Sequence, residues 1–186
     1  MLRSGMTMAA LLAATPLAAQ TATPATTTPG APPRPAHACT SAEYRAFDFW
    51  VGKWDVYGPA GRLVAHSLIE SVYDGCGIRE NWMPLGGTGG GSLSTYVPAK
   101  KQWEQFWIDS GNTRALFTGG WNGHAMVIQG VWPSAPPNIG GPITRMTYSR
   151  NPDGSVRQLG ENSNDGGATW TPSFDFTYRK AAAATG

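Results

Sequence analysis

The chain has 186 residues, room for one ordinary domain with a real core. Its 14 Lys and Arg against 12 Asp and Glu leave a net charge of +2, with no basic run to track a phosphate backbone, which argues against nucleic acid as a partner. Charged residues make up 14 per cent where an average soluble domain has about 25 per cent, while 24 Gly, 15 Pro and 8 Trp suit short strands joined by tight turns.

Residues 1–19 read as a secretory signal peptide: Arg3 supplies the positive start, Met6 to Leu17 the apolar run, and Ala18 and Ala19 the small residues for cleavage. The run is shorter than the about 20 apolar residues that span a bilayer. Cys39 lies too far beyond it to be a lipidated cysteine, so no membrane anchor is expected. The mature protein is expected in the periplasm or outside the cell. Residues 20–36, rich in Thr, Pro and Ala, bury too little apolar surface to offset the entropy of ordering and are expected to form a disordered spacer. The domain is then residues 37–180, and 181–186 a loose tail.

Cys39 and Cys76 are the only cysteines. In an oxidising compartment they are expected to form a disulfide tying the start of the domain to the end of its second strand. Thirty-six intervening residues argue against a metal pair, and no zinc motif occurs elsewhere.

At the domain's start, Thr40 followed by Glu43 has the form of a capping box, and Tyr44, Phe47 and Phe49/Trp50 follow at roughly helical spacing, which predicts one short helix. From Gly52 the pattern becomes that of strands. Trp54 and Val56 mark the first, which leaves through Gly58-Pro59-Ala60-Gly61. Leu63 to Tyr73 runs to an Asp74-Gly75 hairpin turn, and Ile78 to Met83 alternates after it. Pro84 to Gly91 reads as a mobile loop at a barrel mouth, since its glycines lack the Gly-Lys-Ser/Thr of a phosphate cradle. Ser92 to Val97, Gln102 to Asp109, Thr113 to Trp121 and His124 to Trp132 continue the series, the last two joined at Asn122-Gly123, where both residues are expected to take positive φ. Ile143 to Arg150, Ser155 to Ser163 and Trp170 to Arg179 complete about ten strands. An all-β, single antiparallel up-and-down barrel with a short N-terminal helix follows, because closure removes exposed sheet edges.

The stretch Phe47-Asp-Phe-Trp-Val-Gly52-Lys53-Trp54-Asp-Val resembles the Gly-x-Trp start of lipocalin-like, or calycin, barrels. With Gly75-Cys-Gly, Glu80-Asn-Trp82, Trp103-Glu-Gln-Phe-Trp107-Ile-Asp109 and Val156-Arg-Gln158, residues 39 to 179 look like a group of bacterial exported calycin-like proteins of unknown function. The resemblance implies a closed barrel with an internal cavity for a small, largely apolar ligand, and it implies no reaction. Relatives of this architecture include haem-binding nitrobindins, whose resemblance would place a ligating histidine on the last strand. The domain's histidines are His37, His66 and His124, none of them on that strand, so no cofactor is expected. Ser163-Asn-Asp165-Gly-Gly167-Ala-Thr169-Trp170 fits the Asp-box pattern of sialidase-type propellers once. A propeller needs far more chain, so the match reports turn chemistry: Asp165 bonding its own backbone, Gly166 and Gly167 at positive φ, Trp170 packed beneath.

Trp side chains with a few polar groups are how small-molecule pockets are commonly lined. The expected ligand-binding residues are Trp82, Trp103 and Trp107, with Glu80, Gln105, Arg145 and Gln158 as polar partners. Alternation puts Gln105 on one strand face with Trp103 and Trp107, and Glu80 with Trp82. Among the strand carboxylates Glu80, Glu104, Asp109, Glu161 and Asp175, any two facing each other inside a barrel could form an acid/base pair, while pairing with Arg79, Arg114, Arg145 or Arg157 is the structural alternative. The residues thus point to an exported binding protein for a small apolar or amphipathic molecule. A carboxylate-based isomerase or hydrolase in the same cavity, and an envelope accessory protein acting through its surface, are the alternatives.

Overall fold

A computed structural model describes residues 39–133 and 141–182. The expected signal peptide, the spacer and His37 lie outside the described residues, as does the tail beyond residue 182.

Period-2 burial along most segments makes strands, and ten of them close on themselves. They are β1 (Gly52–Tyr57), β2 (Leu63–Val72), β3 (Gly77–Pro84), β4 (Gly90–Val97), β5 (Gln102–Asp109), β6 (Arg114–Trp121), β7 (Met126–Val131), β8 (Ile143–Arg150), β9 (Val156–Ser163) and β10 (Thr171–Lys180). Each pairs antiparallel with the next, and β1 pairs with β10, Trp54 opposite Lys180, so the sheet is a closed up-and-down barrel. The fold is the expected one.

One end is filled by aromatic side chains. A single helical turn, α1 (Ala42–Arg45), and a 3-10 turn at Asp48–Trp50 precede β1 and drive Phe47 and Trp50, almost wholly buried, into that end. Phe47 stacks on Trp50 at 4.9 Å between centroids and meets Tyr148 edge-on at 4.9 Å. The Trp54 indole donates to the Trp50 carbonyl at 2.8 Å, and the Lys180 ammonium lies 3.7 Å from the centre of the Trp54 ring, a cation–π contact that closes the seam between β1 and β10.

Three local expectations change. The N-cap position is Ser41 rather than Thr40, and the capping box is not formed: the Ser41 hydroxyl donates to the Glu43 carboxylate at 2.6 Å and caps no backbone group. The β2–β3 connection is wider than an Asp74-Gly75 hairpin: Tyr73, Asp74 and Gly75 are all left-handed, with φ of 54°, 56° and 84°, between the last pair Val72 and Gly77. The wider loop follows from its tethers, the Cys39–Cys76 disulfide and the Arg45 guanidinium donating to the Gly75 carbonyl. In the β6–β7 hairpin only Gly123 takes positive φ, 99°. Asn122 turns from a central residue into a cap, its side-chain oxygen accepting from the backbone N–H groups of His124 and Ala125 at 3.0 and 2.9 Å.

On the outer wall, Leu93, Phe106 and Leu116 stand opposite one another across β4, β5 and β6 and are exposed.

Candidate functional site

Beyond the fill at the α1 end lies a cavity of about 180 Å³. Its floor is polar. Glu80 on β3 is 7 % exposed and accepts hydrogen bonds from the Ser67 and Ser92 hydroxyls at 3.1 and 3.3 Å. Gln105 on β5, 2 % exposed, donates to Ser94 at 3.1 Å. On the facing strands Tyr178 donates to the Gln158 carbonyl oxygen at 2.6 Å, and the Gln158 amide donates to Tyr148 at 2.9 Å and to the Met146 sulfur at 3.3 Å. The walls are apolar: Phe117 is wholly buried, whereas Trp82, Trp107, Trp132, Phe174 and Phe176 are half-buried. That gradient from buried floor to half-exposed rim shows that the cavity opens at the end away from α1, the end that carries the β3–β4, β5–β6 and β9–β10 connections. The Gly-rich run lies at this end, as expected.

Burial sets the electrostatics of the floor. It pushes the Glu80 carboxyl up to about 7, against the pull of the two serine hydrogen bonds, because a carboxylate loses hydration there that two neutral hydroxyls replace only in part. Burial first, and the nearby Glu80 charge second, hold the Tyr148 and Tyr178 phenols well above the usual tyrosine range. Both tyrosines are therefore neutral hydrogen-bonding groups at ordinary pH.

Five of the seven expected ligand-binding residues meet in this cavity: Glu80, Trp82, Gln105, Trp107 and Gln158. Two do not. Trp103 faces inward, but at the filled end, where its indole donates to the Glu43 carbonyl at 3.1 Å and its ring meets Phe47 edge-on. Arg145 is on the outer face, because β8 turns Thr144, Met146 and Tyr148 inward. It pairs with Glu161 at 2.9 Å and lies 4.0 Å above the Trp170 ring.

Of the five strand carboxylates, only Glu80 lines the cavity. Glu104 pairs with Lys100 at 2.6 Å and Asp175 with Arg157 at 2.7 Å. Asp109 accepts from the backbone N–H groups of Gly111 and Thr113 at the β5–β6 turn. The two facing carboxylates of an acid/base pair are thus absent among the described residues. The two described histidines are exposed, His66 bonded to Asp55 at 2.7 Å and His124 in a turn. The Asp-box is a turn as read. Asp165 accepts from the backbone and hydroxyl of Thr169 at 2.9 and 2.6 Å, which holds its carboxyl well below the usual range, and the Trp170 indole donates to the Gly167 carbonyl.

Sequence reasoning missed Phe117, Trp132, Met146, Tyr148, Phe174, Phe176 and Tyr178. The signal for the last three was present, since Phe174, Phe176 and Tyr178 alternate along β10. Phe174 keeps its place because its partner across β9 is Gly160: a Cβ there would stand 2.1 Å from the Phe174 ring. Gly160→Ala is expected to unseat that ring, to cost about 1–3 kcal/mol by overpacking, and to alter ligand uptake. Chemical denaturation of the variant measures the first and titration the second.

No protein-family model matches the chain, and no curated protein matches it.

Proposed function

We propose that this is an exported, calycin-like binding protein whose barrel holds one small amphipathic molecule, its apolar body among the rim aromatics and its polar end on the floor. The observation that carries the reading is the division of one cavity into a hydrogen-bonded polar floor and a half-exposed aromatic rim, the layout of small-molecule sites. A cavity of about 180 Å³ suits a single ring with a polar substituent, since an apolar cavity of about 150 Å³ accepts benzene. The charged and then apolar start of the chain and the Cys39–Cys76 disulfide support export.

Titration with benzyl alcohol, followed by tryptophan fluorescence, tests it. Saturation at one molecule per chain is expected, weakened at least tenfold by Trp107→Ala and left unchanged by Arg145→Ala. Absence of saturation, or equal loss in both variants, contradicts the reading.

One observation favours a second reading. A buried carboxyl poised at about 7 beside a ligand site is suited to proton transfer, which makes Glu80 the acid/base group of an isomerase acting on the same class of molecule.

A further inference from the structure

We infer that the cavity selects small organic amines, held as ammonium ions against Glu80, over acids and alcohols of the same shape. This rests on the cavity being a ligand site. Three features carry it. First, among the described residues Glu80 is the only acidic side chain lining the cavity and no Lys, Arg or His lines it, so an anionic ligand finds no counter-charge.

Second, most of the floor's donors are already committed. Ser67 and Ser92 donate to Glu80, Tyr178 donates to Gln158, and the Gln158 amide donates to Tyr148 and Met146. What remains on Glu80 is acceptor capacity, because a carboxylate has about four lone-pair sites and the two serines use two. A ligand that brings N–H donors meets the open acceptor sites of Glu80; one that brings only acceptors gains nothing from that carboxylate.

Third, among the described residues no cationic side chain partners the buried carboxylate. The groups that face it from the neighbouring strands are neutral: Ser67 from β2, Ser92 from β4, and the phenols of Tyr148 and Tyr178 from β8 and β10. An ammonium ion offsets the cost of the buried charge, and the aromatic walls suit a cation better than water-exposed aliphatic ones would.

Benzylamine, benzyl alcohol and benzoate share a ring and differ in the head. Titrated at pH 8, the wild type is expected to bind benzylamine at least tenfold tighter than the other two, and the preference shrinks at pH 5.5, where Glu80 is protonated. Glu80→Gln is expected to lose the preference, binding benzylamine no tighter than benzyl alcohol, while Arg145→Ala on the outer face keeps it; saturable binding of benzyl alcohol by Glu80→Gln, at whatever affinity, shows that the variant is folded and its cavity open. Equal or tighter binding of benzyl alcohol or benzoate overturns the amine selectivity and leaves the cavity reading standing. A preference that survives Glu80→Gln overturns the role of Glu80. Failure of all three to saturate overturns the inference together with the reading on which it rests.

Discussion

Glu80→Gln melts higher than the wild type at pH 8. The folded-state carboxyl is pushed up to about 7 from an ordinary value of 4.5, so between those pH values the folded protein holds a proton that the unfolded chain has released. Stability from this group is complete below pH 4.5 and is lost as pH rises through 7. The shift corresponds to about 3 kcal/mol at 1.36 kcal/mol per pKa unit. Gln keeps the shape and the serine hydrogen bonds without the charge, so the variant escapes that loss and its Tm at pH 8 rises by about 6–12 °C. Other carboxylates tilt the profile the opposite way, Asp109 and Asp175 among them, their pKa values held low by backbone N–H groups and by Arg157 respectively. The measured quantity is therefore the difference between the two proteins' stability profiles. It opens between pH 4.5 and 7 and is flat on either side. A difference that does not vary with pH contradicts the burial of an ionisable Glu80.

Breaking the Cys39–Cys76 bond is expected to cost about 4 kcal/mol, because the crosslink spans 37 residues and loop closure of that size removes a corresponding entropy from the unfolded chain. The loss falls on one place in the fold. Cys39 anchors the segment that carries α1, Phe47 and Trp50 across the filled end of the barrel, and Cys76 anchors the left-handed Tyr73–Gly75 turn. Denaturation of the Cys39→Ser/Cys76→Ser protein, compared with the oxidised wild type, measures it. A loss below about 1 kcal/mol would show that the helix and its aromatic side chains hold the end closed without the crosslink.

The barrel was legible because most strands alternate and every described turn but Pro98–Lys101 carries Gly, Asn or Asp, so local chemistry and global topology agree. The turns were less legible in detail. At Asn122-Gly123 a two-residue reading put both residues at the centre, whereas the side chain of Asn122 prefers to cap the backbone from one position earlier. The tether between Cys39 and Cys76 was expected, but its effect, together with that of Arg45, in widening the β2–β3 loop acts across 37 and 30 residues of sequence and does not show in the Asp74-Gly75 pair itself.

The site was legible where the parity of a strand was read and obscure where it was not. Glu80 with Trp82, and Gln105 with Trp107, follow from alternation alone. Arg145 was misplaced because it was chosen as a polar residue near the ligand rather than by its phase. The inward phase of β8 is set by Met146 and Tyr148, and that phase sends Arg145 to Glu161 and Trp170. Trp103 has the right phase and the wrong depth: depth along the barrel depends on where α1 and Phe47 fill it, which alternation does not report. The serines that hold Glu80 were hidden for a related reason, since a small polar residue on an inward phase becomes meaningful only once its partner across the sheet is known.

The eight tryptophans give the most direct test of the cavity as the ligand site, because their indole N–H resonances report separately in an ¹H–¹⁵N spectrum. Trp82, Trp107 and Trp132 line the cavity, Trp54 is in the filled end, and Trp170 is on the outer face against Arg145. On addition of benzyl alcohol, the resonances of Trp82, Trp107 and Trp132 are expected to move together along one saturating curve while those of Trp54 and Trp170 stay in place. Movement confined to Trp121 or Trp170, or none at saturating concentration, would contradict a ligand site inside the barrel.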